Sequence, residues 1–571
     1  MRLSRRQKLL LLLIVAAGAA VRFYGLAWGA PYYHFHIDEH FVFVGALEMR
    51  DHFRAAAQSP KFFMYSPLPM YLVIGLKEIY EHVFHPLDLT IREHGVTFMV
   101  MGRAISATLG TATIPLAFLI ARRVSGNAAG LIAGALTAFG VLHLRDSHFF
   151  SVDPSLTFFS VLAWFLMVRM AEKGTIRSYV WAGAAIGAAV LCKYTAVFLL
   201  PIALVAHLCA PGRPGRGSPA GVWVAWLLKA AVPGLVAVLV FLALDPLVFL
   251  EFDKFRVDFY ANVSGPASGA VKAIWMAQFT NVTPLTYWFT NILWWGLGPL
   301  FEIWAIAGVA WLLWRRDRLA VMAVAFPICY YIVAGQTTTP YARYGVPFVP
   351  ALAVTAGAFG GDLLRQARWR TAAIAALTLV IGSTVLYAAA YMNVFIAPDS
   401  RLSASAWLQE RIPEGSRILV EPSHNIPPMG RYFSNPSFHI DYVMWDRNHE
   451  RQDYFHLYSL DTYRFLYGRR SDDEKRAYIR ARLALVDFIV MDDTFVQFYR
   501  ELPASEHGAV KEYYDDLFSG RLGFQLVKTF KTYPGIGKWK INDDAAELSF
   551  RLFDHPTVFV FARMSGPRRS S

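Results

Sequence analysis

The run "LLLLLIVAAGAAVRFYGLAW", residues 9–28, follows the basic segment "MRLSRRQK" and is mostly apolar. A helix needs about 20 apolar residues to cross the hydrocarbon core of a bilayer. Since basic residues stay on the cytoplasmic side of a membrane, this run predicts a first span with a cytoplasmic N-terminus. A cleavable signal peptide has the same order of a basic and an apolar region, and it remains an alternative for these residues.

Ten further apolar segments predict a polytopic membrane protein. The chain is 55% hydrophobic and only 17% charged, which is poor in charge for a soluble domain. With the first run, the segments indicate about 11 transmembrane helices. The run 179–210 is divided at Lys193, because a lysine at the bilayer centre would cost about 2.5–3.5 kcal/mol. The ten segments are 97–120, 128–143, 155–170, 179–192, 194–210, 222–244, 298–314, 319–334, 346–362 and 372–391.

The basic residues lie in short clusters between the apolar runs, which is typical of membrane topology and not of a nucleic-acid-binding face. The formal net charge of +13 therefore does not indicate nucleic acid as a partner. An odd number of spans places residues 392–571 on the outer face. The predicted outer loops are 29–96 and 245–297, and the first of them contains Asp38 and Glu39.

Residues 392–571 predict a compact α/β domain, separate from a transmembrane domain over residues 1–391. Helical patterns such as "ASAWLQERI" and "SDDEKRAYIRARL" alternate there with short apolar strand candidates. We expect this domain to lie outside the membrane after the last span. The strand candidates are "RILVE", "VDFIVM", "FQLVKTF" and "TVFVFAR".

Charged residues lie close to predicted helix ends at four places on the outer face. Separate loops that share one membrane face are typical of a single site. A carboxylate at a partly dry boundary is suited to act as a base, and guanidinium and ammonium groups are suited to bind phosphate. The four places are "HFHIDEHFVF" (34–43), "HLRDSHFFSVDP" (143–154), Lys193 and "TTTPYARYGVPFVP" (337–350).

Each of these residues also has a purely structural interpretation. Asp153 precedes Pro154 and is suited to cap a helix, and Lys193 and Arg343 are suited to extend from the lipid boundary to water. Arg103, inside the second predicted span, is equally suited to helix packing or to phosphate binding.

Two histidines allow a metal interpretation. His36 and His40 are four residues apart and, with Asp38 or Glu39, have the side chains to bind a divalent ion. The spacing alone is a weak signal. Histidines at a membrane interface also extend toward water without binding a metal. A divalent ion held loosely and shared with a phosphate is a further possibility.

An ordered set of motifs resembles a known family. These motifs are similar to those of the C-type, polytopic glycosyltransferases related to the protein O-mannosyltransferases and the lipid A aminoarabinose transferase, glycosyltransferase family 39 in the broad sense. The resemblance covers residues 1 to about 425 and more loosely the rest. The motifs are "HIDEHFVF", "YSPLPMYL" (65–72), "SHFFSVDPSLTFF" (147–159), "CKYTAVFLLP" (192–201), "ARYGVPFVP" (342–350) and "SASAWLQERIPEGSRILVEP" (403–422).

The resemblance implies a GT-C type helical bundle in a bacterial or archaeal plasma membrane, and transfer of a sugar, with inversion, from a polyprenyl-phosphate carrier to an acceptor on the outer face. By motif, Asp38 is expected to be the catalytic base with Glu39 beside it, and His148 and Asp153 are expected to line the second loop of the site. The donor phosphate is expected to contact Lys193, Arg343, Tyr344 and Arg103.

Two other functions are compatible with a polytopic chain. In a transporter or lipid flippase the same charges would form a pathway, but such proteins usually place them near the midplane and often contain internal repeats. A membrane-anchored binding or sensor protein would carry its function in residues 392–571. The charges at one outer face favour the glycosyltransferase.

Overall fold

The computed structural model describes most of the chain. Residues 34 and 35 of the "HFHIDEHFVF" stretch lie outside the described residues. The described residues are 3–30, 36–55, 63, 65–89, 92–271, 274–421, 423, 425–429, 451–452, 455–460, 462, 465 and 470–564.

The first two thirds of the chain are helical. Its helices are α1 (Arg5–Phe23), α2 (Ile37–Ala55), α3 (Leu68–Val83), α4 (Arg92–Phe139), α5 (Val141–Asp146), α6 (Val152–Lys173), α7 (Ile176–Val190), α8 (Leu199–Cys209), α9 (Ala220–Leu244), α10 (Leu247–Leu250), α11 (Phe252–Phe259), α12 (Gly265–Ser268), α13 (Pro284–Tyr287), α14 (Trp294–Leu297), α15 (Pro299–Arg315), α16 (Arg318–Ala334), α17 (Phe348–Arg365) and α18 (Arg370–Ile396). Short 3-10 turns cover Tyr194–Phe198, Ile274–Phe279 and Ala342–Gly345, and π-helical turns cover Tyr260–Ser264 and Trp288–Leu293.

Each apolar segment predicted to cross the membrane coincides with helical structure. Among the described residues, five helices are long and apolar enough to span a bilayer, and three shorter helices are apolar. The chain is therefore an integral membrane protein, as predicted. The predicted number of eleven crossings stays a prediction.

A kink divides α4 between the second and third predicted spans. Ser125 and Gly126 depart from helical geometry, and Gly126 has φ 86°, a conformation that glycine adopts without strain. Arg365 donates from Nη1 to the carbonyl of Ser125 at 2.7 Å. A Cβ atom at position 126 would lie 3.2 Å from the same Nη1. The kink and its arginine contact leave little room for a side chain there.

The predicted helix break at Lys193 is also present. Helix α7 ends at Val190, and Lys193 has extended backbone angles before the 3-10 turn Tyr194–Phe198 leads into α8. Lys193 therefore lies between two short helices and not inside one continuous helix.

The C-terminal part forms a mixed sheet with helices. Its helices are α19 (Ser400–Arg411), α20 (Asp472–Ala484), α21 (Asp493–Glu501), α22 (Ala504–Phe518) and α23 (Leu548–Arg551). Its strands are β1 (Arg417–Val420), β2 (Arg451–Gln452), β3 (His456–Ser459), β4 (Phe488–Asp492), β5 (Phe524–Phe530), β6 (Gly535–Ile536), β7 (Trp539–Lys540) and β8 (Val558–Arg563).

The order of the six-stranded sheet is β2-β3-β1-β4-β8-β5, in which β1 is parallel to β3 and β4, and β8 is antiparallel to β4 and β5. All four predicted strands and both predicted helices are present. The α/β class of this region is confirmed. The boundary predicted at residue 391 lies within α18, which continues to Ile396.

Candidate active site

Asp38 and Arg343 form an ion pair between two distant parts of the chain. Asp38 is the second residue of α2, and Arg343 lies in the 3-10 turn that precedes α17. The distance from Arg343 Nη1 to Asp38 Oδ2 is 2.7 Å. Two of the residues predicted from the sequence to share a site are therefore in direct contact.

Asp38 is held by neutral groups as well as by the arginine. The hydroxyl of Tyr65 donates to Asp38 Oδ1 at 2.9 Å, and the backbone N–H of Asp38 donates to His36 Nδ1 at 3.2 Å. Burial favours the protonated form of Asp38, but the Arg343 guanidinium and the Tyr65 hydrogen bond outweigh it and lower its pKa below the usual value. Asp38 is therefore a carboxylate at neutral pH, as a proton acceptor has to be.

A second ion pair lies beside the first. Lys193 Nζ donates to Asp153 Oδ1 at 2.8 Å, and Asp153 is in the first turn of α6. The Lys193 ammonium is 4.3 Å from the centre of the Tyr344 ring, and the Arg343 guanidinium is 5.5 Å from the same ring. Five of the predicted residues thus form one cluster around Tyr344, which contacts both cations.

The cations of the cluster are more accessible than its acids. The side chains of Lys193 and Arg343 are each 22% exposed, whereas those of Asp153 and Asp38 are 2% and 8% exposed. An anion approaching the cluster therefore meets the two cations first. The predicted roles in phosphate binding and catalysis stay predictions.

Glu39 and Arg103 form a pair of a different kind. Arg103 donates from Nε and Nη2 to the two oxygens of Glu39, both at 2.8 Å, and from Nη1 to the carbonyls of Leu26 and Trp28. Glu39 also accepts from the N–H of Phe150 at 2.8 Å, and both side chains are 1% exposed. The predicted roles of Glu39 in chemistry and of Arg103 in phosphate binding stay predictions, and these buried contacts disfavour both.

His148 is enclosed by backbone and aromatic groups. Its Nδ1 is 3.0 Å from the carbonyl of Leu144, its Nε2 is 3.1 Å from the carbonyl of Tyr24, and its ring stacks on Phe395 at 4.0 Å. The side chain is fully buried. The predicted role of His148 in lining the second loop stays a prediction, and these contacts indicate a packing role.

The contacts of His36 disfavour the predicted metal role of His36 and His40, which stays a prediction. The ring of His36 lies 4.4 Å from both Phe149 and Phe553, and its Nδ1 already accepts the Asp38 N–H. Burial lowers the pKa of His36 and of His40 to about 4, so both rings are neutral at pH 7, which is the form that binds a metal. Within the described ranges, no three His, Cys, Asp or Glu side chains are grouped to hold a metal ion.

Two residues that contact the cluster, Tyr65 and Glu547, were not predicted from the sequence. Tyr65 begins the quoted motif "YSPLPMYL", and that position was the one signal for its contact with Asp38. Glu547, in the C-terminal region, accepts from the N–H of Ala342 beside Arg343 at 2.9 Å, and no pattern in the sequence pointed to it.

The comparisons with known proteins agree with this architecture. Residues 95–243 match the family model described as dolichyl-phosphate-mannose-protein mannosyltransferase. This segment includes Arg103, Asp153 and Lys193 but neither Asp38 nor Arg343. The family relationship predicted from the motifs is confirmed over these residues. None of the curated proteins compared with the chain matches it.

Three of the solved structures that are similar to the chain describe the match. The oligosaccharyltransferase of Archaeoglobus fulgidus in the apo form has a TM-score of 0.52 at 13% identity, over 95% of this chain and 75% of that one. ArnT from Cupriavidus metallidurans bound to undecaprenyl phosphate has a TM-score of 0.48 at 15% identity, over 96% and 97%. The S. cerevisiae Pmt1-Pmt2 complex bound to the sugar donor has a TM-score of 0.34 at 18% identity, over 45% and 35%. The similarity to the oligosaccharyltransferase confirms the predicted GT-C type fold.

Proposed function

We propose that this chain, a relative of the GT-C glycosyltransferases, transfers a sugar from a polyprenyl-phosphate carrier to an acceptor hydroxyl, with inversion. The observation that carries the proposal is the Tyr344 cluster, in which two carboxylates and two accessible cations lie side by side. The matching family model, which is described by a dolichyl-phosphate-linked sugar, supports the donor class.

In this proposal Asp38 is the base. Its carboxylate takes the proton of the acceptor hydroxyl while the hydroxyl oxygen forms a bond to the anomeric carbon. The bond from that carbon to the phosphate oxygen breaks, and the polyprenyl phosphate leaves with the electron pair. A single displacement of this kind inverts the anomeric centre, and Asp38 then releases its proton to water.

Arg343 and Lys193 stabilise the leaving phosphate. A guanidinium has five N–H donors and an ammonium has three, so each cation has donors beyond those that face its carboxylate. Both can hold the phosphate while they remain near Asp38 and Asp153. Charge that develops on the leaving group then meets cations that are already in place, which lowers the barrier without reorganisation.

The proposal also specifies a location. The N-terminus is cytoplasmic, and the Tyr344 cluster and residues 392–571 are on the outer face of a bacterial or archaeal plasma membrane. No nucleotide is needed there, because the lipid-linked donor carries the activated sugar. The acceptor is a protein, a lipid or a glycan that reaches this face.

A donor panel tests the proposal. The purified protein, reconstituted in bilayer discs, is incubated with polyprenyl phosphates that carry different sugars and with a cell-envelope extract that supplies protein, lipid and glycan acceptors. The release of free polyprenyl phosphate and the formation of glycosylated product are both measured. We expect one donor to give both products in equal amounts. If no donor is cleaved, and proteoliposomes instead move a substrate across the membrane unchanged, the transporter alternative replaces the enzyme.

A further inference from the structure

The segment 543–555 of the C-terminal region, here the docking segment, is bound tightly to the membrane helices. Arg145, which follows the predicted third span, donates from Nη2 to the carbonyl of Ser549 at 2.7 Å and from Nε to Asp554 at 3.2 Å. The hydroxyl of Tyr391 in α18 donates to the same Asp554 carboxylate at 3.0 Å. Arg145 and Asp554 are almost completely buried, so this contact excludes water.

One end of the docking segment contacts the turn that carries Arg343. Glu547 Oε2 accepts from the backbone N–H of Ala342 at 2.9 Å, and Glu547 is 2% exposed. Its own N–H donates to Asn291 Oδ1 at 2.7 Å, and Asn291 donates from Nδ2 to the carbonyl of Ala545 at 2.8 Å. The position of the Arg343 backbone therefore depends on a carboxylate of the C-terminal region.

The other end of the docking segment contacts the start of α2. The ring of Phe553 lies 4.4 Å from the ring of His36, on which Phe149 packs at the same distance. His36 in turn accepts the N–H of Asp38. Phe553 thus holds the imidazole that receives the Asp38 backbone.

We propose that Glu547 and Phe553 are positioning residues, through which the docking segment holds Arg343 and Asp38 at the spacing that transfer requires. The effect on transfer rests on the proposed function, because Glu547 and Phe553 themselves take no part in the chemistry. The N–H of Ala342 donates to a buried carboxylate, and a hydrogen bond to such a group is strong enough to hold a short turn in one place. The C-terminal region then completes the site.

Hydrogen exchange tests the placement independently of any activity. Glu547→Ala should increase amide exchange in peptides that cover residues 338–348, and Phe553→Leu should do so in peptides that cover residues 36–48. The matched control is Glu501→Ala. Glu501, which is exposed, accepts from Asn281 Nδ2 at another contact of the C-terminal region, with the segment between α9 and α15. If Glu547→Ala leaves exchange in 338–348 as in the wild type, the inference is wrong even where transfer is observed.

Kinetics test the catalytic meaning. We expect Glu547→Ala to raise the donor KM by about tenfold or more, because Arg343 loses its position, while Glu501→Ala keeps the wild-type KM. Glu547→Gln should recover much of the loss, since its amide oxygen still accepts from Ala342. Equal losses in Glu547→Ala and Glu501→Ala would reduce the role to general stability. A wild-type protein that cleaves no donor would contradict the proposed function and leave the exchange result as the test of placement.

Discussion

Asp38 and Glu39 are neighbours in α2, yet their surroundings differ in every respect that decides a role. Adjacent residues of a helix point about 100° apart, so each carboxylate meets its own arginine. The Glu39–Arg103 pair is 1% exposed on both sides, and both oxygens of Glu39 are bound. The Asp38–Arg343 pair is a single contact with an arginine that is 22% exposed. The Glu39–Arg103 pair is thus closed to solvent, whereas the Asp38–Arg343 pair is open on the side of its arginine.

The largest effect is expected from the open pair. Asp38→Asn removes the proton acceptor and should lower the transfer rate by about 10²–10⁴-fold, the usual contribution of a positioned base. The amide keeps the size of the side chain, so the melting temperature of the Asp38→Asn protein should remain near that of the wild type. The measurements are single-turnover transfer and the melting temperature in the same bilayer discs. Transfer at the wild-type rate would remove Asp38 from the mechanism.

The closed pair should respond in the opposite way. Glu39→Gln leaves the Arg103 guanidinium buried without its counter-charge, and breaking such a pair costs about 3–5 kcal/mol of stability. We expect a lower melting temperature and a lower yield of folded protein, with near-normal transfer per folded molecule. Thermal unfolding and active-site titration separate the two. A stable Glu39→Gln protein without transfer would restore the catalytic role predicted from the sequence.

The sequence was sufficient for the fold because burial in lipid leaves a strong pattern. Runs of about 20 apolar residues mark spans, and short apolar runs between turns mark strands. The break at Lys193 followed from the cost of a charge in the bilayer. The predicted topology also grouped Asp38, Asp153, Lys193 and Arg343, because it placed the helix ends that carry them on the same side of the membrane.

Residue type could not separate Glu39 from Asp38, and only the resemblance of the motif singled out Asp38 as the base. Both are carboxylates in the first turn of α2, and the difference lies in their partners, including the carbonyls of Leu26 and Trp28 that bind Arg103. Backbone acceptors leave no residue-type signal. The same reason hides Glu547, since it contacts a backbone N–H and any residue at position 342 except proline would present one.

A smaller effect is expected from changing the shape of the open cation. Arg343→Lys keeps the charge but loses the planar fork that matches a phosphate, so the donor KM should rise by about tenfold. The companion change Arg103→Lys should instead lower the melting temperature, because Arg103 uses its fork for Glu39 and two carbonyls. Donor titrations and thermal unfolding of both variants make the test. A raised donor KM in Arg103→Lys at unchanged stability would show that the closed pair is also within reach of the donor.

The smallest effect concerns a buried histidine between two aspartates, on the docking segment. His555 lies 2.8 Å from Asp543 and 2.9 Å from Asp554. Burial alone would lower its pKa, but the two carboxylates outweigh this and raise it to about 9. The folded pKa lies above the unfolded value of about 6.5, so the stabilisation is complete below pH 6.5 and is lost as the pH rises through 9.

The melting temperature should therefore fall by about a few degrees between pH 6.5 and 9. His555→Gln, which has no group that titrates in this range, should remove most of that fall while it lowers stability at pH 6.5. Thermal unfolding of both proteins across the range makes the comparison. If the two curves stay parallel, the charge on His555 does not contribute to stability. Burial of an ion pair would then be no evidence that the pair stabilises this protein. A stabilising role of the Glu39–Arg103 pair would depend on the Glu39→Gln measurement alone.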